Sequence, residues 1–343
     1  MNTIAFIIPY FGKVPSYFQA FLYSIAPLHD FADFFLIADE NFCMDVKKLD
    51  YPSNLKFHVM SWEQLCNRVK NKSIAPPFFP YKLCDYKPLY GYIFEDFLKK
   101  YKYWGYCDVD LLMGNVAKIL KEYSYEKYDR FGAKGHFTIY RNDDRINTLW
   151  KKSTREKKAY HNFEFVQKTT YPCHFDEEGM NVICKEYEIS FFERQLELNT
   201  SLDTMYLHSW SFRDYPQIFT WENGSTYTYI KKKDSVEKIE CMYIHFQWTK
   251  TLKICEKLGS NFLLTHEGFF NFDENKLDEY FERFGKVENQ EQRALRLKQF
   301  AKQSRKTRLR KLWREFKTVG FRALYNIACR SPRLFNLIAE KTL

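Results

Sequence analysis

Several patterns are missing from this chain of 343 residues, and each absence narrows the class of protein. The nine cysteines are odd in number and scattered, and none form a C-x-x-C pair, so neither a disulfide framework nor a zinc site is indicated. No apolar stretch approaches the roughly 18 to 20 residues that span a bilayer. No G-x-G-x-x-G or G-x-x-x-x-G-K motif occurs, so a glycine-rich phosphate loop is not indicated. We therefore expect a protein of the reducing cytoplasm, with at most peripheral membrane contact.

The N-terminal apolar run over residues 4–8 also lacks the features of a secretion signal. No Lys or Arg precedes it, it is shorter than a signal h-region, and no small-residue cleavage site follows it. We interpret it as a first buried strand. With 45% hydrophobic and 19% aromatic residues, the chain can bury a large core, which excludes a disordered protein and predicts one enzyme-sized domain with an appendage.

Strand-like apolar runs alternate with helix-like segments through the first half of the chain, which is the pattern of an α/β fold. Strands are predicted over residues 4–9, 34–38, 55–60, 103–108 and 136–140. Helices are predicted over residues 15–26, 62–69, 87–101 and 116–123. In the less regular second half we expect a helix near residues 178–188, a hairpin turning at Asn223 and Gly224, and a strand over residues 240–246.

A pair of aspartates stands at the end of the fourth predicted strand, in the segment W-G-Y-C-D-V-D of residues 104–110. In an extended chain, the carboxylates of Asp108 and Asp110 point the same way. Oxygen ligands suit Mg²⁺ and Mn²⁺, so the pair predicts a divalent cation site. Because open α/β sheets bind ligands at the carboxyl ends of their strands, segments 9–12, 38–40 and 108–110 are expected to converge. Taken alone, the pair also fits a strand followed by a polar turn.

Three further segments carry groups that could take part in chemistry. Residues 81–91 combine lysines, an acid and tyrosines just before a predicted helix. Residues 174–181, H-F-D-E-E-G-M-N, place acids ahead of another helix, where an N-cap and first-turn acids are expected on structural grounds alone. A late strand brings His245 and Lys250 to its end, although a lone histidine is more often a structural hydrogen-bonding group.

The positive charge is concentrated at the C-terminal end of the chain. Residues 293–343 contain fifteen Lys or Arg and only Glu315 and Glu340 as acids, a net +13, which leaves −3 for residues 1–292. We expect a main domain over residues 1–290 and a basic amphipathic helical tail over residues 291–343. Such a helix suits an anionic membrane surface. A solvated helix packed on the domain is the structural alternative, and nucleic acid is not expected because no recognised nucleic-acid motif accompanies the charge.

Together these segments resemble the GT-A fold glycosyltransferases, in particular bacterial enzymes of capsule and lipopolysaccharide synthesis. The resemblance covers about residues 1–260 and rests on Ile-Pro-Tyr-Phe-Gly, Lys-Leu-Cys-Asp-Tyr-Lys-Pro, Trp-Gly-Tyr-Cys-Asp-Val-Asp and Ile-His-Phe-Gln-Trp. It implies a Rossmann-like, mostly parallel sheet flanked by helices. It also implies a bound divalent cation, Mn²⁺ or Mg²⁺, and a nucleotide-sugar donor, with a UDP-sugar as the first expectation.

The resemblance also implies roles for individual residues. The metal ligands would be Asp108, Asp110 and His245. The nucleotide-sugar would be held by several loops, through Pro9, Tyr10, Phe11, Asp39, Lys82, Asp85, Asp108 and Lys250. The catalytic acids or bases would be Asp176, Glu177 and Glu178. The chain departs from the retaining branch, which continues as His-x-x-Gly-x-x-Lys-Pro-Trp, because it lacks the glycine and the final Pro-Trp after His245. Inverting and retaining chemistry both stay open.

The expected activity is that of a hexosyltransferase, which moves a sugar from a nucleotide diphosphate to a glycan or lipid-linked acceptor in surface polysaccharide synthesis. Its expected location is the cytoplasm, at the inner face of the plasma membrane. The candidate platforms for the acceptor sugar are three aromatic side chains, Trp210, Tyr215 and Trp221.

Two alternative functions remain open from the sequence. One is a nucleotidyltransferase or phosphotransferase with the same aspartate pair, and the other is a non-catalytic protein that binds membrane or nucleic acid.

Overall fold

The computed structural model describes residues 2–155, 159–200, 206–247 and 252–319. Its strands are β1 (Ile4–Pro9), β2 (Ala32–Ala38), β3 (Leu55–Val59), β4 (Tyr103–Cys107), β5 (Leu111–Met113), β6 (Arg130–Lys134), β7 (Phe137–Arg141), β8 (Phe191–Phe192), β9 (Leu198–Asn199), β10 (Gln217–Glu222), β11 (Ser225–Lys231), β12 (Val236–Cys241), β13 (Tyr243–His245), β14 (Asn261–Leu264) and β15 (Phe269–Asn271).

The α-helices of the described residues vary from single turns to thirty residues. They are α1 (Phe18–Ile25), α2 (Glu40–Val46), α3 (Trp62–Asn71), α4 (Tyr90–Ile93), α5 (Glu95–Leu98), α6 (Val116–Glu122), α7 (Asp144–Asn147), α8 (Phe163–Val166), α9 (Met180–Glu186), α10 (Leu277–Arg283) and α11 (Gln290–Val319). A ten-residue 3-10 segment, Pro80–Leu89, precedes α4, and a π-helical turn, Phe175–Gly179, leads into α9.

The central sheet has seven strands in the order β3-β2-β1-β4-β7-β6-β8. Strands β1 to β4 are parallel to their neighbours in this group, whereas β7 pairs antiparallel with both β4 and β6. Helices cover the two faces of this sheet, so the expectation of a mixed α/β fold with a mostly parallel sheet is confirmed.

Alternation along β1 explains why this sheet has a core on both faces. Ile4, Phe6 and Ile8 belong to one buried cluster, together with residues of α1, α2 and α6. Ala5 and Ile7 belong to the other cluster, together with residues of α3, α4 and α9. Side chains alternate between the faces of a strand, and a parallel strand covered on both sides is apolar throughout.

Two smaller sheets form the second half of the described chain. One is antiparallel, in the order β12-β11-β10-β14-β15, and contains the predicted hairpin, whose turn lies at Asn223 and Gly224. Gly224 has φ of +93°, which suits glycine in a tight turn. The other has three strands in the order β5-β13-β9, and it joins the segment after β4 to the late strand of the chain.

Two predicted elements differ from the structure. The single helix predicted over residues 87–101 is instead the end of the 3-10 segment followed by the short helices α4 and α5. These two helices are separated at Phe94, whose backbone angles of φ −114° and ψ 30° are not helical. The strand predicted over residues 240–246 is divided between two sheets at Met242. There the backbone N–H of Met242 donates to the carbonyl of Leu196, and its carbonyl accepts from Gly114 N–H.

Helix α11 is the longest helix of the described residues and begins at Gln290, close to the start of the predicted tail. Several of its apolar side chains are exposed, among them Leu309 at 66% and Trp313 at 62%. The chain beyond Val319 lies outside the described residues. None of the helices in the described ranges is both long and apolar enough to pass through a bilayer.

Candidate metal and donor site

The strand order reverses between β1 and β4. From β1 the chain moves outward to β2 and β3, and it then returns to add β4 on the other side of β1. In open α/β sheets, a crevice forms outside the carboxyl ends of the two strands that flank such a reversal. Tyr10 follows β1 at this edge, and Asp108 follows β4. The topology therefore places both predicted segments beside the expected crevice.

Three potential metal ligands meet at the end of β4. Asp108, Asp110 and His245 each offer one ligand atom, and these atoms all lie within 4.8 Å of one another. The side chains are 34%, 19% and 12% exposed, respectively, so the cluster is partly buried and still reachable from solvent. Two carboxylates and an imidazole are a donor set that can hold a divalent cation, and the carboxylates offer the oxygen ligands that Mn²⁺ and Mg²⁺ prefer.

Backbone pairing brings the distant His245 to the aspartates. Strand β13 pairs antiparallel with β5, and His245 is the partner of Leu111 in this register. The next backbone N–H, that of Phe246, donates to the carbonyl of Asp110 at 3.1 Å. The His245 Nε2 atom lies 3.7 Å from Asp110 Oδ2. The geometry of the cluster is thus fixed by main-chain hydrogen bonds rather than by side-chain contacts alone.

Lys87 joins this cluster to the acidic segment. Its Nζ atom donates to Asp108 Oδ1 at 2.5 Å and to the carbonyl of Gly135 at 2.7 Å, and it lies 3.9 Å from Asp176 Oδ2. Burial lowers the pKa of Lys87, but the carboxylates of Asp108 and Asp176 outweigh this effect, so its pKa lies above the usual value. Lys87 therefore stays charged and offsets part of the negative charge around Asp108.

The three acids of the 174–181 segment differ in their surroundings. Asp176 is almost fully buried, and burial raises its pKa to about 8 despite the opposing effect of Lys87. Glu177 accepts a hydrogen bond from Gly135 N–H at 2.8 Å, and Glu178 is 58% exposed. No side chain caps the N-terminus of the π-helical turn that contains them, so the N-cap alternative is wrong. Of these three acids, it is Asp176 that lies near Lys87, the lysine that also contacts Asp108.

A buried arginine supports the backbone of this turn. Arg130 is 0% exposed, and its Nη2 atom donates to the carbonyl of Asp176 at 3.1 Å. Its Nη1 atom donates to Asn181 Oδ1 at 2.8 Å, and Asn181 in turn donates to the carbonyl of Ala133. These bonds tie the acidic turn to the β6–β7 connection. A Cβ atom added to Gly135 in that connection would lie only 2.2 Å from Asp176 Oδ2, so a larger residue there would displace the Asp176 carboxylate.

The opening loop follows β1 at the carboxyl edge of the central sheet. Pro9 ends β1, and the N–H of Tyr10 donates to the carbonyl of Ile37 at 2.8 Å. Burial raises the pKa of Tyr10, and the negative charge of Asp110 raises it further. Phe11 instead packs edge-on against Trp62, with ring centroids 5.3 Å apart.

Asp39 has a structural role as the N-cap of α2. Its Oδ1 atom accepts a hydrogen bond from the backbone N–H of Phe42 at 2.9 Å. The ring of Tyr10 packs against Phe42 with a centroid distance of 4.9 Å, so the cap lies beside the opening loop. Asp39 is thus close to the expected nucleoside region, with one carboxylate oxygen committed to the helix.

The structure corrects the role expected for Lys82 and Asp85. Both side chains are 0% exposed, and Lys82 Nζ lies 2.7 Å from Asp85 Oδ2. Lys82 also donates to Thr169 and to the carbonyl of Tyr171, while Asp85 accepts from the backbone N–H of Cys173 at 2.9 and 2.8 Å. This buried ion pair holds segments 82–85 and 169–175 together. Because both side chains are 0% exposed, neither can contact a nucleotide-sugar.

The remaining expected residues divide between the core, the surface and the chain outside the described ranges. Lys250 lies outside the described residues. Trp221 is buried, and its Nε1 atom donates to the carbonyl of Met113 at 2.8 Å, so it is a core residue rather than an acceptor platform. Trp210 and Tyr215 are exposed and stay candidates for that role.

Sequence reasoning missed several residues around the cluster. Lys87 was part of a noted segment without a role of its own, and in the structure it lies in the last turn of the 3-10 segment Pro80–Leu89. His136 stacks on His245 with ring centroids 4.2 Å apart, and Asn199 contacts His245 from a strand of only two residues. No sequence pattern marks either residue, because both contacts join segments that are distant in sequence.

A family model described as "Family of unknown function (DUF6625)" matches residues 6–273. The chain belongs to this family. The matched region contains the metal cluster, Lys87 and the acidic turn, and it ends before α10 and α11. No curated protein matches the chain.

Two solved structures are similar to part of this family member. Mouse xyloside xylosyltransferase 1 in its apo form has 10% sequence identity and a TM-score of 0.36, with coverage of 59% of this chain and 88% of that one. The galactosyltransferase LgtC, in complex with donor and acceptor sugar analogues, has 10% identity and a TM-score of 0.31, with coverage of 58% and 76%. Similarity of this degree carries no conclusion about the activity of this chain.

Replacing Lys82 by methionine is expected to destabilise the fold. The Lys82→Met variant leaves the carboxylate of Asp85 buried without its cation, which typically costs about 3–5 kcal/mol. Urea unfolding followed by circular dichroism measures the loss. Lys118→Met is the matched control, because Lys118 forms an exposed ion pair with Glu240, and little change is expected there. Equal stability of the Lys82→Met variant and the native chain would contradict the structural role.

Proposed function

We propose that this protein is a metal-dependent glycosyltransferase of GT-A type, which transfers a sugar from a nucleotide-diphosphate donor to a carbohydrate acceptor. One observation carries this proposal: Asp108, Asp110 and His245 converge at the end of β4, beside the reversal of strand order. This is the edge at which an α/β sheet binds nucleotides, and the donor set fits a cation that can bridge phosphates.

The cation would be held by Asp108, Asp110 and His245. When bound, it supplies Lewis-acid stabilisation of the negative charge that develops on the diphosphate as the sugar leaves. Lys87 holds Asp108 in place through a 2.5 Å hydrogen bond. The ring of Tyr10 lies at the same edge, where it can contact the nucleoside, and the proposed donor is a UDP-sugar.

Asp176 is the strongest candidate for the proton-transfer or transition-state role. Its raised pKa, near 8, is suited to a group that takes a proton from an acceptor hydroxyl if the reaction inverts the sugar. If the reaction retains the configuration, the ionised carboxylate can stabilise the positive charge of an oxocarbenium-like transition state. Glu177 holds Gly135, and Glu178 is exposed, so both are proposed as lesser contributors.

The acceptor is proposed to be a glycan or a lipid-linked oligosaccharide of a surface polysaccharide pathway, such as capsule or lipopolysaccharide. This part of the proposal rests on the resemblance of the quoted motifs. A phosphotransferase or nucleotidyltransferase would use the same three metal ligands, and it remains the second candidate. The absence of a glycine-rich phosphate motif from the sequence favours the glycosyltransferase.

Removing one metal ligand is expected to abolish turnover. The Asp110→Asn variant should lose detectable hydrolysis and transfer from a panel of UDP- and GDP-sugars with Mn²⁺, because an amide is a weaker ligand and carries no charge. Mn²⁺ binding, followed by electron paramagnetic resonance, should fall in parallel. The exposed Asp45→Asn variant is the matched control and should behave as the native chain.

Two outcomes would contradict the proposed function. If the native protein turns over no nucleotide-sugar of the panel and binds no nucleotide in a Mn²⁺-dependent way, it is not a glycosyltransferase of this kind. If Asp110→Asn keeps full activity, the metal site is not where the chemistry occurs. Release of nucleoside monophosphate rather than diphosphate from the donors would favour the phosphotransferase instead.

The three acids of the acidic turn should differ in their effect on activity. The Asp176→Asn variant is expected to lose about 10²–10⁴-fold in kcat/KM, which is the range for a proton-transfer group. Glu178→Gln should change kcat/KM little, because Glu178 points to solvent. For the native enzyme, a base role predicts that kcat/KM falls as pH drops below the pKa of Asp176, at about 8 before the cation binds and lower once it is bound. A larger loss in Glu178→Gln than in Asp176→Asn would overturn this assignment.

We also propose that α11 attaches the enzyme peripherally to an anionic membrane surface on the cytoplasmic side. Residues 290–319 contain eleven Lys or Arg and two acids, a net +9. Leu309 and Trp313 are exposed one turn apart on this helix, and Lys317 Nζ lies 3.6 Å from the centre of the Trp313 ring. A basic helix with an exposed tryptophan and leucine fits the boundary between headgroups and acyl chains.

Substitutions in α11 should weaken binding to anionic vesicles. In the full chain, Arg305→Gln and Lys306→Gln should each lower partition onto phosphatidylserine-containing vesicles about 5-fold, since each charge contributes about 1 kcal/mol. Trp313→Ser should lower it further, whereas Tyr51→Ser, at an exposed aromatic of the main domain, should not. Vesicle sedimentation at low salt measures the effect. Unchanged partition of the α11 variants would contradict the membrane role.

A further inference from the structure

A short chain of hydrogen bonds supports His245 from the side opposite the metal cluster. His245 Nδ1 lies 2.8 Å from Asn199 Oδ1. Asn199 Nδ2 donates to Glu197 Oε1 at 3.2 Å, and Glu197 Oε2 accepts from the backbone N–H of Leu196 at 3.0 Å. Glu197 is only 7% exposed, whereas Asn199 and His245 are partly buried. None of these residues was singled out by the sequence motifs.

The chemistry of Glu197 fixes which way the Asn199 amide points. A carboxylate only accepts hydrogen bonds, so the NH₂ group of Asn199 has to face Glu197. The amide oxygen of Asn199 then faces His245. Because an amide oxygen also only accepts, the Nδ1 atom of His245 has to carry a proton and donate it. The orientation of one amide thus selects the position of the proton on the imidazole.

The proton on Nδ1 leaves Nε2 as the ring nitrogen that can offer a lone pair to a cation. Nε2 is the atom on the side of the metal cluster, 3.7 Å from Asp110 Oδ2. Histidines that bind metals commonly donate their other ring N–H to a neighbouring acceptor, which sets both tautomer and orientation. The Asn199 contact has this geometry.

The backbone holds Asn199 and His245 in register. Strands β9 and β13 are parallel, with Asn199 paired to His245, and the N–H of Thr200 donates to the carbonyl of His245 at 3.0 Å. On its face, the His245 ring packs against His136, whose Nδ1 atom lies 3.1 Å from the hydroxyl of Tyr243. The ring is therefore held by an amide at one edge and by a second ring at one face.

We propose that Asn199 is a positioning residue for the metal ligand His245, and that Glu197 orients Asn199 for this task. Together they hold the imidazole as the Nδ1–H tautomer with Nε2 directed at the cation. The inference rests on the metal site of the proposed function but not on the identity of the donor. It extends that site to two residues that do not touch the metal.

The tautomer can be measured without metal or substrate. Nitrogen-15 NMR of the eight histidines, with His245 identified by its loss in His245→Ala, should show the Nδ1–H form of His245 at pH 8 in the native apo protein. In Asn199→Leu this preference should be lost. The double variant of Asn199→Asp and Glu197→Gln should restore it, because it keeps an acceptor oxygen toward His245 and places an amide N–H opposite the new carboxylate. In Glu197→Gln alone it should weaken, since Asn199 and Leu196 donate to different oxygens of Glu197 and glutamine has an oxygen at only one of these positions.

The affinity for Mn²⁺ gives the second readout. Removal of a group that orients a metal ligand typically weakens metal binding 10–100-fold. We expect this loss in Asn199→Leu and recovery in the double variant of Asn199→Asp and Glu197→Gln. Asn147→Leu is the matched control for stability, because it removes a partly buried amide that bonds instead to Trp104 and Asn142. It should leave the tautomer and the Mn²⁺ affinity unchanged.

The outcomes separate this inference from the proposed function. If Asn199→Leu keeps the Nδ1–H tautomer, or changes it without weakening Mn²⁺ binding, the positioning role is wrong even where the enzyme transfers sugar. If Asn147→Leu lowers the affinity as much as Asn199→Leu, the effect is general destabilisation and the role is also wrong. If both readouts change as expected while no donor is turned over, Asn199 positions a metal ligand in a protein of another function.

Discussion

The ammonium group of Lys87 is the contact on which the arrangement of the site depends. It is shared among Asp108, the carbonyl of Gly135 and, at 3.9 Å, Asp176. Without a cation at this point, two carboxylates would face each other in a partly buried space, which is electrostatically costly. Because Lys87 contacts both acids, it sets the separation between the metal cluster and the acidic turn. The fully buried Arg130 also holds the acidic turn, because it donates a hydrogen bond to the carbonyl of Asp176.

The second constraint is backbone register in the small sheet β5-β13-β9. Antiparallel pairing of β13 with β5 places His245 opposite Leu111, and parallel pairing with β9 places Asn199 beside His245. A shift of one residue in the pairing of β13 with β5 would turn the imidazole to the other face of the sheet and remove it from the aspartates. A shift in the pairing with β9 would instead remove Asn199 from His245. The metal cluster is therefore a consequence of strand pairing over more than 130 residues of sequence.

Much of the secondary structure could be predicted from local pattern. Strand β1, the hairpin at Asn223 and Gly224 and the helix α3 follow from apolar runs, turn residues and helical spacing, which act over a few residues. The ends of β1 and β4 could be placed together, because parallel strands share an edge. The division of the late strand at Met242 could not be predicted in this way, since the partners of that backbone lie at Leu196 and Gly114.

By itself, the sequence determined the α/β class, the position of the aspartate pair at a strand end and the concentration of positive charge in residues 293–343. These follow from periodicity, composition and charge, which are local properties. Only the tertiary structure decided that Lys82 and Asp85 form a buried pair, that Lys87 holds Asp108 and that Asn199 and Glu197 support His245. Those roles depend on burial and on contacts between distant segments, and neither quantity is encoded in the identity of a residue and its near neighbours.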